Sequence, residues 1–149
     1  MSSKQQIAYI ELRVSAHATE DQQKVQNVIQ NLISTIETPQ LLVFQKTTCT
    51  GHYGNPIILF TAKLDDKEVL SAVLDRIGNN LSSLDKEELD RSLNLHLEKT
   101  NLYLRFDKQS ALQGVAKFSQ VDPIRLRIHF RNQTPQQIAE FLQQKGFLP

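Results

Sequence analysis

Near the C-terminal end, the eight residues Ile124-Arg125-Leu126-Arg127-Ile128-His129-Phe130-Arg131 alternate apolar and basic side chains without a break. Side chains in a β-strand point to opposite faces with a period of two, so Ile124, Leu126, Ile128 and Phe130 share one face while Arg125, Arg127, His129 and Arg131 share the other. One strand therefore builds a core and displays a row of cations. The sheet that contains it needs one apolar face and one face turned to water, which suits an antiparallel sheet covered on one side.

The chain as a whole is nearly neutral, with 17 Lys and Arg against 16 Asp and Glu, so a positive stripe has to be offset elsewhere. Asp65 to Glu98 holds nine acidic residues and four Lys or Arg, whereas Asn101 to Arg131 holds six Lys or Arg and two Asp. The central helical region is acidic and the late strands are basic. A length of 149 residues suits one domain, residues 1–149, with a substantial core. At 40% hydrophobic and 22% charged, composition is that of a globular chain. The lone Cys49 excludes an internal disulfide framework and a multi-cysteine metal site, and suits a reducing compartment such as the cytoplasm. No apolar stretch approaches the roughly 18 residues of a membrane span.

Tyr9 to His17 alternates like the closing stretch, with Ile10, Leu12, Val14 and Ala16 inward and Tyr9, Glu11, Arg13, Ser15 and His17 outward. Thr19 with Gln22 reads as a capping box opening a helix that buries Val25, Val28, Ile29, Leu32, Ile33 and Ile36 and ends at Pro39. Strands are expected over Leu41–Thr48 and Ile57–Leu64, joined by a Gly51–Pro56 hairpin loop. Asp65 and Glu68 read as a second capping box, for a helix that Gly78 is placed to stop, and a third helix is expected from about Asp85. Leu102, Leu104 and Phe106 then face inward along a strand with Tyr103 and Arg105 outward, and Asp107 caps a short turn through Gly114. Val115–Ser119 and Ile124–Arg131 are expected to form a hairpin around Asp122-Pro123. Thr134 and Pro135 announce a last helix, whose Phe141 and Leu142, with Phe147 and Leu148 beyond, could pack on the sheet or serve a partner. The order is β-α-β-β-α-α-β-β-α, an α+β domain with a single mostly antiparallel sheet and helices on one face. An exposed edge strand of such a sheet would allow pairing into an oligomer.

An open sheet with cations and scattered aromatics is a surface on which RNA can lie, phosphates meeting Arg and bases stacking on Tyr, His or guanidinium planes. The bland alternative is a solvated sheet face on which polar residues simply meet water. Catalysis has less support. The four histidines, His17, His52, His96 and His129, show no metal-ligand spacing, and no phosphate-cradling glycine loop ends in Lys-Ser or Lys-Thr. No cofactor or metal is implied. A metal-independent ribonuclease could still use His17, His52 or His129 as acid and base with Arg105 or Lys108 beside the phosphate. A third possibility is an adaptor that docks on an RNA-processing complex through its acidic helices or apolar C-terminus, without touching RNA.

Three motifs, His17-Ala18-Thr19-Glu20-Asp21 with Lys24-Val25, Gly51-His52-Tyr53-Gly54-Asn55-Pro56-Ile57, and Leu102-Tyr103-Leu104-Arg105-Phe106-Asp107-Lys108-Gln109 with Ala111 and Gly114, together resemble an archaeal family of small predicted RNA-binding proteins. Its members are often described as predicted exosome subunits. The resemblance runs from about Ile7 to Phe130 and implies a fold like that of the large-subunit ribosomal protein that holds 5S ribosomal RNA. It also implies non-enzymatic RNA binding in RNA processing or ribosome maturation, with exosome or ribosome components as partners. Thr19 is explained by capping and the glycines by turn geometry; His52, Asn55, Arg105, Lys108 and Gln109 have no obvious structural duty. With His17, Tyr103, Arg125, Arg127, His129 and Arg131 they make the expected RNA-contacting set. Where family members commonly carry an acidic residue before the first loop glycine, this chain has Thr50.

Overall fold

The computed structural model describes residues 6–34, 43–51 and 53–149. Its strands are β1 (Ile7–Ala16), β2 (Gln45–Thr50), β3 (Pro56–Leu64), β4 (Leu97–Glu98), β5 (Asn101–Phe106) and β6 (Ile124–Phe130). The helices are α1 (Gln22–Ile33), α2 (Lys67–Asn80), α3 (Ser83–His96), α4 (Lys108–Leu112) and α5 (Pro135–Gln144). The expected order holds, with the two-residue β4 and the single-turn α4 added to it. All six strands form one antiparallel sheet in the order β2-β3-β1-β6-β5-β4. The first and last strands of the chain therefore lie side by side in its middle.

Register explains the single-sided core. Leu12 lies opposite Leu126 on one flank and Ala62 on the other, and Leu104 lies opposite Leu126 from β5. Ile10, Leu12, Phe60, Leu102, Phe106, Ile124 and Ile128 are fully buried with Ile29, Ile77, Leu89 and Ile138 from the helices. Apolar burial of this kind stabilises by roughly 25 cal/mol per Å² removed from water. No charged or polar residue is buried among the described residues. The alternation read along Tyr9–His17 and Ile124–Phe130 is thus the boundary between core and solvent.

Several local expectations change. Helix α1 is capped by Asp21, whose carboxylate accepts from the N–H groups of Gln23 and Lys24, because Thr19 lies in a preceding turn closed by Glu20 N–H to His17 O. Asp66, not Asp65, caps α2, and Ser82 opens α3 before Asp85. Helix α3 kinks at Ser92, whose hydroxyl donates to Glu88 O at 2.7 Å, a back-bond that bends helices. Val115–Ser119 forms no strand; only Phe118 bridges to Phe106. Both edges of β6 are already taken by β1 and β5, so the preceding segment has nowhere to pair. The start of the second strand at Leu41, Ile36 and the Pro39 helix end lie outside the described residues.

The C-terminal helix belongs to the core. Thr134 and Gln137 form a capping box with Pro135 at the start of α5, and Ile138, Leu142 and Phe147 are fully buried. Gly78 does not stop α2, which continues to Asn80. It lets the helices meet: a Cβ there would stand 2.0 Å from the Lys145 carbonyl oxygen. Gly78→Ala is expected to destabilise by about 1–3 kcal/mol through overpacking, even though helix propensity alone favours Ala by about 1 kcal/mol. Urea denaturation checks it, and a more stable variant would contradict the close approach.

Candidate nucleic-acid interface

The face opposite the helices carries the outward side chains of the central strands. From β1 come Tyr9, Glu11 and Arg13, from β3 Lys63, from β6 Arg125, Arg127 and His129, and from β5 Asn101, Tyr103 and Arg105. Register aligns them into rows. Arg125 lies directly opposite Arg13 on one side and Arg105 on the other. Like charges opposite one another on a sheet repel, with Cβ atoms only about 5 Å apart. The next row runs Lys63, Glu11, Arg127, Tyr103. Around Arg125 the sheet forms a depression of about 400 Å³ lined by Glu11, Arg13, Tyr103, Arg105 and Arg127.

The rings on this face are organised by cations. Tyr9 stacks on His129 with centroids 5.0 Å apart, and the Lys63 ammonium stands 4.5 Å from the Tyr9 centroid. The Arg127 guanidinium lies 5.5 Å from Tyr9 and 5.9 Å from Tyr103, within cation–π range of both. Asn101 holds the group in place: its Oδ1 accepts from Arg127 Nε at 3.0 Å and lies 2.8 Å from His129 Nδ1. Arg13 Nε donates to Glu11 at 3.1 Å, and Arg105 donates to Gln120 at 2.9 Å. Among the described residues, Arg125 makes no side-chain hydrogen bond or ion pair, and none of the face arginines pairs with an acid from Asp65–Glu98. The acidic helices lie on the other side of the sheet, so they do not neutralise the stripe.

At one end of the sheet the three sequence motifs converge. Lys108 donates from Nζ to Ser15 O at 2.7 Å, to Asp122 at 2.7 Å and to Glu20 at 3.3 Å. His17 Nε2 lies 3.1 Å from the other Asp122 oxygen, and the His17 N–H donates to Glu20 at 2.9 Å. The Lys108 side chain is only 11% exposed. Its three donors are all engaged inside the protein, so this lysine has the structural duty that the sequence did not disclose. His17, Glu20 and Asp122 have the spacing of a cation site, but the Lys108 ammonium already supplies the positive charge that joins the two acids. Burial pushes the Asp122 carboxyl up, but hydrogen bonds and charge from Lys108 and His17 outweigh it, and its pKa lies below the usual carboxylate value. Hydrogen bonds from the Ser110 hydroxyl and N–H likewise hold Asp107 low while it caps α4.

The remaining expected residues distribute around this rim. Asn55 is exposed in the hairpin loop, where Gly54 takes φ +80° and Gly51 N–H donates to Asn55 O at 2.7 Å. His17, Thr19, Gly51, Tyr53, Asn55 and Ile57 enclose a second depression of about 280 Å³. His52 lies outside the described residues. Gln109 is exposed on α4, beside a groove shared with Lys24 of α1. Arg131 sits one residue beyond β6, exposed, its N–H donating to Gln6 O. Lys63 and Asn101 join the face in addition to the residues expected from the sequence. Lys63 was within reach, since Phe60, Ala62 and Leu64 inward put it outward; Asn101 becomes visible only through the pairing of β5 with β6.

Fold and face together define a class: a small α+β protein with helices on one side of its sheet and a cationic, aromatic face on the other. The chain belongs to the RNA-binding family, whose pattern it matches over residues 9–130. It is 32% identical over 132 residues to an RNA-binding protein of Pyrococcus abyssi, covering 88% of this chain and 84% of that one. An uncharacterized protein of Methanocaldococcus jannaschii is 30% identical over 135 residues, covering 88% and 89%. Among solved structures, a protein of Archaeoglobus fulgidus superposes with TM-score 0.77 at 22% identity, covering 93% of this chain and 99% of that one. A DUF54 protein of Methanothermobacter thermautotrophicus superposes with TM-score 0.76 at 24% identity, covering 95% and 98%. These two share the fold. The family and its archaeal members agree with the resemblance drawn from the three motifs, and no described helix is long and apolar enough to cross a membrane.

Two outcomes follow from the Lys108 junction. Lys108→Met leaves Glu20 and Asp122 facing each other without their cation and should lower stability by about 1–3 kcal/mol in urea unfolding. Because the native Asp122 carboxyl titrates below its unfolded value near 3.9, its contribution is present above about pH 4 and lost as pH falls through the native pKa. Asp122→Asn should therefore flatten the decline in urea midpoint between about pH 5 and about pH 2. An equally steep decline in the variant would remove Asp122 from the account.

Proposed function

We propose that this protein binds RNA non-enzymatically on the open sheet face, with single-stranded or irregular RNA lying across β1, β6 and β5. The observation that carries the reading is the row Arg13, Arg125, Arg105 on three adjacent strands. Three cations opposite one another repel, and on this face only Arg13 has an acidic partner, Glu11; a polyanion laid across the row relieves the rest. Phosphate contacts to these arginines supply most of the affinity, while Tyr9, Tyr103 and His129 offer stacking surfaces for bases. His17, Asn55, Lys108 and Gln109 form or brace the rim at the end where the loops gather. Membership of the RNA-binding family and the Pyrococcus abyssi relative support the same reading. In this reading, as the family resemblance implies, the protein acts in RNA processing or ribosome maturation, alongside exosome or ribosome components in the cytoplasm.

The triple variant Arg125→Ala, Arg127→Ala, Arg131→Ala tests the face. Its affinity for a single-stranded RNA, measured by filter binding over a salt series, should fall by more than about tenfold. The slope of log affinity on log salt should flatten by about 0.7 per phosphate contact removed. Unfolding should change little, because relief of the repulsion around Arg125 offsets the lost Arg127 bond to Asn101. Unaltered affinity with intact folding would overturn the sheet-face reading.

A further inference from the structure

The open face contains a residue that a phosphate-binding surface does not need. Glu11 is the one acidic side chain on the open face of the four central strands β3, β1, β6 and β5. It sits opposite Lys63 and Arg127 and on the wall of the depression around Arg125. A carboxylate in the path of a polyanion repels phosphate, so its presence asks for a ligand group that donates hydrogen bonds. Arg13 Nε donates to Glu11 Oε1 at 3.1 Å; the second oxygen, Oε2, accepts no hydrogen bond from the described residues. The Glu11 side chain is 19% exposed, so part of it stays open to the depression that it lines.

We propose that this depression is a guanine subsite, in which Glu11 reads the Watson–Crick edge of one unstacked base. The proposal rests on the RNA-binding reading above and deepens it. Guanine alone among the four RNA bases presents two adjacent donors, N1–H and the N2 amino group, to a carboxylate. Adenine offers one donor beside an acceptor, cytosine likewise, and uracil one donor flanked by two carbonyl oxygens. Each of those sets an oxygen or nitrogen lone pair against a Glu11 oxygen, so the carboxylate rejects them as well as selecting guanine. The depression of about 400 Å³ falls in the range of ligand pockets, about 300–1,000 Å³. Tyr103 is 39% exposed at its rim, with the Arg127 guanidinium beside it, and the two supply planes on which a base can lie. Arg125 and Arg105, opposite each other on β6 and β5, are left for the flanking phosphates.

The probes are uridine heptamers carrying at the central position G, A, C, U or inosine, which keeps N1–H and lacks the amino group. Wild-type protein should bind the G oligomer about tenfold or more tightly than the A oligomer, the discrimination expected of one bidentate contact, with inosine between. Glu11→Gln, isosteric and uncharged, should bring the G-to-A ratio close to one while binding the all-uridine oligomer as well as wild type or better. A role confined to positioning Arg13 would lower affinity for every oligomer alike and leave the ratio unchanged. Wild-type binding of all five with equal affinity, or a ratio that survives Glu11→Gln, overturns the subsite and leaves the RNA face standing. Failure to bind any of them overturns the subsite together with the reading beneath it. The inosine comparison needs no variant and decides the matter if Glu11→Gln does not fold.

Discussion

The pairing of β1 with β6 at the centre of the sheet is the constraint on which the molecule depends. Its register sets Leu12 against Leu126 on one face and Glu11 against Arg127 on the other. A slip of one residue would turn the apolar set of β6 to water and drive Arg125 and Arg127 into a core that holds no charge among the described residues. The penalty for burying unpaired guanidinium groups is several kcal/mol each. That penalty makes the register specific, and it is the same alternation that builds the cationic face. Core and candidate interface are two sides of one decision.

The Lys108 junction solves a different problem. The end of β1 with the turn before α1, and far along the chain the start of α4 and the approach to β6, must meet at one end of the sheet. A single ammonium bonded to Ser15 O, Glu20 and Asp122 ties all four together. Charge-assisted bonds of this kind are stronger than neutral ones, and partial burial of the lysine limits screening by water and salt. The family motifs containing Glu20 and Lys108 are thus joined as a structural unit by the protein's own contacts.

What was legible in the sequence was whatever periodicity and local chemistry control. The two-faced strands at Tyr9–His17 and Ile124–Phe130, the helix cap at Thr134 and the Asp107 turn needed no knowledge of partners. What depended on partners was not legible. Gly78 looked like a helix stop because nothing local reveals that the Lys145 carbonyl presses against it. Lys108 looked free because its partners come from Ser15, Glu20 and Asp122. The row of Arg13, Arg125 and Arg105 exists only in the register, since no two of the three are closer than twenty residues in the chain. The hairpin expected at Val115–Ser119 failed for the same reason: β6 had better partners elsewhere.

Asn101 has a consequence for how the face would meet a ligand. By accepting from Arg127 and facing His129, with Tyr9 stacked on that histidine, it fixes several side chains in one arrangement. A free arginine carries roughly 2 kcal/mol of rotamer entropy, much of which must be surrendered when it is immobilised. On the Asn101 side part of that ordering is already made, whereas Arg125 and Arg131 have no such tether among the described residues. The face is therefore unequal: one half is tethered in advance, and the other would give up its side-chain freedom only on contact with a ligand.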